Sequence, residues 1–206
     1  KKTGWVLLNP ILVAIAMLIC FLQFTGVSYE TYSEAGSLVE FWLKPAVVAL
    51  GVPLYLQLRL IKKQLMPILI SQLAGCVVGL VSVTIIAKLM GASPEVIMSL
   101  APKSVTTPIA MEVSNAVGGI PSPTAAVFIV VGLSGAICGF YLLQVGRVAS
   151  PIAQGLSMGT AGHAGGTSRA MEVSGKYGAY ASLGLTLNGI LTALLSPTIL
   201  HILGLY

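Results

Sequence analysis

The chain has 206 residues, of which 56% are hydrophobic and 8% are charged, and its mean hydropathy is +0.94. This composition excludes an ordinary soluble domain, in which about 25% of residues are charged. Uncharged apolar stretches such as Leu65–Ala87 exceed the ~20 residues that a helix needs to cross a bilayer. We therefore predict an all-α polytopic membrane protein in contact with lipid. The net charge of +5 reflects membrane orientation rather than nucleic-acid binding.

Five apolar stretches along the chain are predicted to be transmembrane helices. Pro45, together with Gly51 and Pro53, predicts a kink in the second of them. The polar stretch Thr25–Glu40, which contains three glutamates, is interpreted as a loop between the first two. The five predicted spans are Trp5–Phe24, Phe41–Leu58, Leu65–Met90, Thr124–Gly146 and Ala179–Leu203.

One string of five residues occurs twice, because residues 110–114 and 170–174 both read Ala-Met-Glu-Val-Ser. The same offset of sixty positions also pairs Gly75 with Gly135, Gly79 with Gly139, Thr107 with Thr167 and Gly118 with Gly178. Self-similarity at a fixed period indicates duplicated structural units. Within a single membrane domain, 1–206, we predict two repeat units, 63–122 and 123–182.

The paired glycines have a spacing that favours close packing of helices. Gly75 and Gly79 are four residues apart, as are their counterparts in the second unit. Small residues at this spacing let the backbone of another helix approach closely. Such packing can also extend to a homodimer, which we keep as a possible assembly.

The first glutamate-bearing segment, Ser93–Pro121, is predicted to be interrupted. Pro94–Ala101 is long enough for about two helical turns. Pro102 follows, and a polar piece separates it from Thr107-Pro108, which reads as a helix cap and a first helical position. The segment is therefore predicted to contain two short helices rather than one continuous helix.

The second glutamate-bearing segment, Ser150–Gly178, is predicted to be interrupted as well. Four glycines between positions 159 and 166 weaken its middle, and Thr167 or Ser168 is expected to cap the helix that carries Glu172. Helices of about eight to ten residues reach only ~12–15 Å, roughly half the hydrocarbon core. Each segment is therefore either a re-entrant hairpin or one broken span.

The distribution of charge favours the hairpin. With one hairpin in each unit, the basic loops lie inside and the acidic ones outside, as the positive-inside rule requires. The inside group is Lys1, Lys2, Arg59, Lys62, Lys63, Arg147 and Lys176, and the outside group is Glu30, Glu34, Glu40 and Glu95. One helix plus one hairpin crosses the membrane an odd number of times, so the two units would form an inverted repeat. Inverted repeats with interrupted helices are typical of secondary transporters.

The interrupted segments also contain the charged residues that enter the membrane. An ionisable group at this depth costs about 2.5–3.5 kcal/mol and tends to face a cavity or a partner. A helix N-terminus with hydroxyl groups and a cation favours a small anion such as a carboxylate. The candidate substrate-binding residues are Lys103, Ser104, Thr106, Thr107, Glu112, Thr160, His163, Thr167, Ser168, Arg169 and Glu172.

A structural alternative applies to the charged candidates. Arg169 and Glu172 are three residues apart and can pair on their own helix, and Lys103 can pair with either glutamate. No nucleophile and base, and no set of metal ligands, has usable spacing, so we predict neither an enzyme nor a cofactor or metal. Cys20, Cys76 and Cys138 each lie in an apolar span and are interpreted as packing residues.

The motifs in these segments resemble those of a known family. Residues 101–112 read Ala-Pro-Lys-Ser-Val-Thr-Thr-Pro-Ile-Ala-Met-Glu, residues 117–121 read Val-Gly-Gly-Ile-Pro, and residues 159–163 read Gly-Thr-Ala-Gly-His. Together with Gly166-Thr-Ser-Arg169, they are similar to the LrgB/CidB family of bacterial membrane proteins. The resemblance extends from Leu8-Asn-Pro10 to the last predicted span. Family members usually have another hydrophobic helix before this point, so one is expected upstream.

Two functions follow from the resemblance. The family includes the membrane half of a plant chloroplast glycolate/glycerate translocator, which implies transport of small monocarboxylates such as glycolate, glycerate, pyruvate or lactate, coupled to a proton or sodium. Bacterial members are described as holin- or antiholin-like modulators of murein hydrolase activity and autolysis that act with a small LrgA/CidA-type membrane protein. Either function implies a multi-pass protein of the bacterial plasma (inner) membrane.

The membrane topology inferred from the distribution of charge makes a testable prediction. In a background lacking Cys20, Cys76 and Cys138, single cysteines at Pro121 and Arg147 are expected to react with membrane-impermeant thiol reagents from opposite sides. The reason is that the fourth predicted span separates the two positions and crosses the membrane. Labelling of both from the same side would show that this span does not cross.

Overall fold

The computed structural model describes residues 10–49, 55, 62 and 64–205. This part of the chain contains eight helices and no strand. The helices are α1 (Pro10–Thr25), α2 (Tyr29–Ala49), α3 (Leu65–Leu89), α4 (Pro94–Leu100), α5 (Thr107–Ala116), α6 (Pro121–Val145), α7 (Pro151–Val173) and α8 (Gly175–Ile202). The chain divides into two compact units, residues 1–46 and 47–206.

The predicted loop between the first two spans is wrong, because most of Thr25–Glu40 is helical. Helix α2 begins at Tyr29 and continues through Pro45 to Ala49. The hydroxyl of Ser28 accepts a hydrogen bond from the backbone N–H of Thr31 at 3.3 Å, which caps the helix start. The acidic composition of this stretch suggested a loop, but glutamate, alanine and leucine are good helix formers. Residues 50–54 and 56–58, which include part of the predicted kink, lie outside the described residues.

Three helices in the described part of the chain are long and apolar enough to cross a membrane. They are α3, residues Val127–Val145 of α6, and α8. The third, fourth and fifth predicted spans are therefore confirmed as spanning candidates. Helix α1 has 16 residues and α2 is more polar, so the described residues do not support a count of five.

Helix α3 buries one face that carries both polar and apolar side chains, and it exposes large apolar side chains on its other faces. Its buried residues recur every three or four positions and are Ile68, Gln72, Cys76, Leu80, Thr84 and Ala87. On its other faces Ile70 is 64% exposed and Val78 is 65% exposed. A water-soluble protein would bury such side chains, whereas in a bilayer they face lipid.

The first interrupted segment doubles back on itself. The hydroxyl of Thr124, at the start of α6, lies 2.9 Å from the carbonyl oxygen of Ser99 in α4 and 3.0 Å from the hydroxyl of Ser114 in α5, as well as 2.9 Å from the carbonyl oxygen of Ile120. Because both Ser99 and Ser114 lie beside Thr124, the C-terminal end of α5 returns to the C-terminal end of α4, as in a hairpin. The N-cap position of α5 is Thr106, one residue before the predicted cap; it has φ −72° and ψ 150°, and its side chain makes no capping hydrogen bond.

The second interrupted segment, α7, breaks at His163 rather than at Thr167 or Ser168. His163 has φ 35° and ψ −127°, which is far from helical geometry. A Cβ atom added to Gly166 would overlap the carbonyl oxygen of Met158. Residues eight apart in a straight helix are ~12 Å apart, so the chain must fold back between them. The break lies within the stretch of glycines that was predicted to weaken this segment, and Gly166 also makes the close approach possible.

Helix α7 is packed tightly between α6 and α8 through glycine contacts. On the α6 side, a Cβ atom at Gly135 would lie 2.5 Å from the Cα atom of Gly162. On the α8 side, a Cβ atom at Gly159 would overlap the carbonyl group of Ala181. The glycine spacing of the second repeat unit thus brings helices together inside one chain, and its role in a homodimer stays a prediction.

This packing predicts a large loss of stability for Gly159→Ala. The added methyl group would press on the backbone of α8, and overpacking of this kind costs about 1–3 kcal/mol or more. The measurement is the apparent melting temperature of the purified protein in detergent. Gly36→Ala is the matched control, because Gly36 lies inside α2 with no atom within 4 Å of an added Cβ, and alanine favours helix there. Equal melting temperatures for the two variants would contradict the proposed contact.

Candidate functional site

A cleft of about 680 Å³ lies between α3, the loop that joins α4 to α5, and the first half of α7. Its volume is within the ~300–1,000 Å³ typical of small-molecule sites. Its polar lining residues are Gln64, Ser71, Gln72, Lys103, Ser104, Ser150, Ser157 and Thr160. The apolar remainder includes Gly75 and Gly79 of α3. The predicted close-packing glycines of the first repeat unit thus border the cleft.

Lys103 is the only ionisable residue among the described residues that line this cleft. Its side chain is partly buried, and its Nζ atom donates to the Ser104 hydroxyl at 3.1 Å. Among the residues that the structure describes, no acidic group lies within salt-bridge distance of it. The structure therefore does not show the pairing of Lys103 with a glutamate that the structural alternative proposed.

Thr160, in the second interrupted segment, lines the same cleft as the loop that contains Lys103. Its hydroxyl lies 2.7 Å from the side-chain carbonyl of Gln72, and the methyl group of Thr160 would lie 3.2 Å from a Cβ atom at Gly75. Gly75 therefore lets Thr160 reach the buried amide of Gln72. Lys103, Ser104 and Thr160 are the three predicted site residues that share the cleft.

Two amide residues of the site were not among the predicted residues. Gln72 is 2% exposed, and Asn188 of α8 is 1% exposed. The Nδ2 atom of Asn188 donates to the carbonyl of Ser104 at 2.6 Å and to that of Thr160 at 3.3 Å. Each is the only amide side chain within its predicted span, and burying an amide without a partner costs free energy. That rarity was the signal available in the sequence.

A second group of predicted residues is buried away from the cleft. His163 is 1% exposed, stacks on Phe128 with 3.8 Å between ring centroids, and makes no hydrogen bond of accepted geometry through either ring nitrogen. The hydroxyl groups of Thr106 and Thr167 are also buried without partners among the described residues. His163 and Lys103 are sixty positions apart, which is the offset of the predicted repeat.

The remaining predicted residues do not line the cleft. Arg169 and Glu172 form an ion pair of 2.7 Å on one helix, with side chains 52% and 43% exposed. This is the pairing that the structural alternative described. Glu112 and Ser168 are exposed, and Thr107 is partly buried at the first residue of α5. The contribution of these residues to a substrate site stays a prediction.

Comparisons with known proteins agree with this architecture. The fold and the cleft define a helical membrane protein with two interrupted segments beside a polar site. The chain belongs to the LrgB-like family, whose model matches residues 1–202, and the resemblance in its motifs is thereby confirmed.

Several curated relatives match nearly the whole chain. The holin-like protein CidB of Staphylococcus epidermidis is 39% identical over 94% of this chain and 85% of its own length. The antiholin-like protein LrgB of Bacillus mycoides is 35% identical over 98% of this chain and 87% of its own length. The Bacillus subtilis protein YwbG is 37% identical, with 93% and 85% covered. No solved structure matches the chain.

The geometry predicts different effects for the two cations among the candidate site residues, Lys103 and Arg169. Lys103→Gln is expected to weaken binding of a small carboxylate at least about tenfold, because a hydrogen bond to a charged group contributes about 1.5–3 kcal/mol. Arg169→Gln is expected to change it less than about threefold, because exposed ion pairs contribute little. Binding of a labelled monocarboxylate to the purified proteins measures both. A larger loss for Arg169→Gln would move the site to the exposed ion pair.

Proposed function

We propose that this protein is a secondary transporter of small monocarboxylates in the bacterial inner membrane. The single observation that carries the proposal is the partly buried Lys103 in a polar cleft, with no acidic partner among the described residues. A lysine in this setting is unfavourable unless an anion compensates its charge. A carboxylate substrate that binds and leaves would supply that charge transiently.

The size and composition of the cleft support a small substrate with hydroxyl or keto oxygens. Three hydroxyl residues, Ser71, Ser157 and Thr160, line the cleft together with Lys103. They can donate to or accept from the oxygen atoms of glycolate, glycerate, pyruvate or lactate. The volume exceeds what such an acid fills, so the substrate would bind with accompanying water.

The duplicated architecture supports alternating access. Each repeat unit has one long helix followed by a segment that doubles back at an equivalent position, Lys103 or His163. We propose that the units form an inverted repeat, with the two breaks near the middle of the membrane. Movement of one unit against the other would then open the cleft alternately to the two sides.

His163 is the proposed site of a coupled proton. Its imidazole is enclosed by Phe128 and Gly132, where a Cβ atom would lie 2.5 Å from the ring. Its non-helical backbone is one that side chains other than glycine seldom adopt, and strain of this kind clusters at functional sites. Histidine is also the side chain that changes charge near neutral pH. Sodium remains the other candidate for the coupling ion.

A holin- or antiholin-like function is the second candidate. The names of the relatives CidB and LrgB support this function more than they support transport. In this case the protein would modulate murein hydrolase activity and autolysis together with a small LrgA/CidA-type membrane protein. The polar cleft and its lysine are the features that favour transport instead, since a simple pore has no need of them.

Reconstitution in liposomes distinguishes the two candidates. We expect saturable uptake of a labelled monocarboxylate from a panel of glycolate, glycerate, pyruvate and lactate, while a large dye trapped in the same vesicles is retained. Release of the dye without saturable uptake would support the pore-like function, and retention of dye with no uptake of any acid would contradict transport.

The charge of the substrate provides the matched control. Glycolamide has the size of glycolate but no carboxylate, so it is not expected to compete if Lys103 recognises the charge. In the Lys103→Gln protein, uptake is expected to fall while the apparent melting temperature stays close to that of the wild type. Competition by glycolamide equal to that by glycolate would remove the role of the lysine.

A further inference from the structure

Asn188 is the one described side chain that hydrogen bonds to both interrupted segments. It lies in the middle of α8 and is 1% exposed. Its Nδ2 atom donates to the carbonyl of Ser104 at 2.6 Å and to the carbonyl of Thr160 at 3.3 Å. Ser104 precedes α5, and Thr160 ends the first half of α7, so one amide group joins the two sides of the cleft.

Both of these carbonyl groups lie where a helix is interrupted. The donor to Ser104 in a continuing helix would be residue 108, which is a proline and has no N–H. The donor to Thr160 in a straight helix would be the N–H of Ala164, which lies just beyond the non-helical torsion angles of His163. Buried carbonyl groups require a partner, and an amide nitrogen has two N–H groups to give.

The position of the Lys103 side chain depends on the same contact between Asn188 and Ser104. The backbone of Ser104 is held by Asn188, while its side chain accepts a hydrogen bond from Lys103 Nζ at 3.1 Å. On the other side, the hydroxyl of the held residue Thr160 contacts Gln72 at 2.7 Å. Asn188 therefore holds both Ser104 and Thr160, which line the cleft, although Asn188 does not line the cleft itself.

We propose that Asn188 is a positioning residue, which fixes the Lys103–Ser104 loop opposite Thr160 and thereby sets where the ammonium group meets a carboxylate. The identity of the ligand, a carboxylate, rests on the proposed transport function. The anchoring of the Lys103–Ser104 loop by Asn188 does not depend on that function. The side-chain oxygen of Asn188 has no partner among the described residues. Asn188 and Thr192 are among the residues that line a small cavity of about 10 Å³, which is at the lower limit of the volume that one water molecule needs.

Thiol labelling tests the anchoring without any transport measurement. Ser104→Cys, in a background without the three native cysteines, places a thiol at the cleft. We expect Asn188→Leu, which has a similar size but no N–H donors, to raise the rate of its reaction with a water-soluble thiol reagent at least threefold. Thr186→Val is the matched control, because the buried hydroxyl of Thr186 bonds only to Ser182 of its own helix. Equal rates for the two variants would overturn the proposal.

Carboxylate binding tests the consequence for Lys103. Asn188→Leu is expected to raise the half-saturation concentration for carboxylate uptake severalfold in the wild-type background and to have no such effect when Lys103 is already glutamine. This loss of additivity is expected of two residues that act through one contact and not of a general loss of stability. Equal effects in both backgrounds would show that Asn188 does not act through the lysine.

The two measurements separate the two proposals. If the wild-type protein takes up no monocarboxylate, the proposed function fails, and the labelling rate alone decides whether Asn188 anchors the loop. If uptake occurs but labelling is unchanged, the function stands and the positioning role fails. Asn188→Ser, which is too short to reach both carbonyl groups, replaces the leucine variant if that variant does not fold.

Discussion

Two backbone carbonyl groups, those of Ser104 and Thr160, lie where the chain is interrupted, and the amide of Asn188 donates to both. Inside a membrane a broken helix is tolerated only where the protein or a water-filled cavity provides the missing hydrogen bonds. The rest of the site follows from this contact. Once both breaks are held against α8, the polar groups on either side of them face one cleft.

Close approach of the backbones is the second requirement of this arrangement. Helix α7 can bring its break up to α8 only because Gly159 has no side chain to meet Ala181. The corresponding contact with α6 depends on Gly135 and Gly162. In a membrane, where apolar side chains gain little by leaving lipid, such contacts contribute much of the packing between helices. The glycine content of the chain therefore serves the position of the site as well as its stability.

The charged candidates differ in whether they have a partner of opposite charge. Arg169 and Glu172 neutralise each other at an exposed surface, and their pairing requires no ligand. Lys103 lies in the cleft without such a partner among the described residues, so its charge calls for an anion. The family relationship points to a membrane function in which holin-like and antiholin-like relatives are named. The cleft adds a chemical reason to look for transport of a small acid.

The sequence by itself determined the membrane class, three of the spanning helices, both interruptions and the family, because hydropathy, proline and motif chemistry are local properties. Local composition also gave one wrong prediction, because the acidic stretch that was predicted to be a loop is helical from Tyr29. Only the tertiary structure decided which candidates share a cleft, that Arg169 pairs with Glu172, and that Asn188 joins the two breaks. The contacts of Asn188 connect residues 84 and 28 positions apart in the chain. Contacts over such separations depend on how helices pack, and no local pattern encodes them.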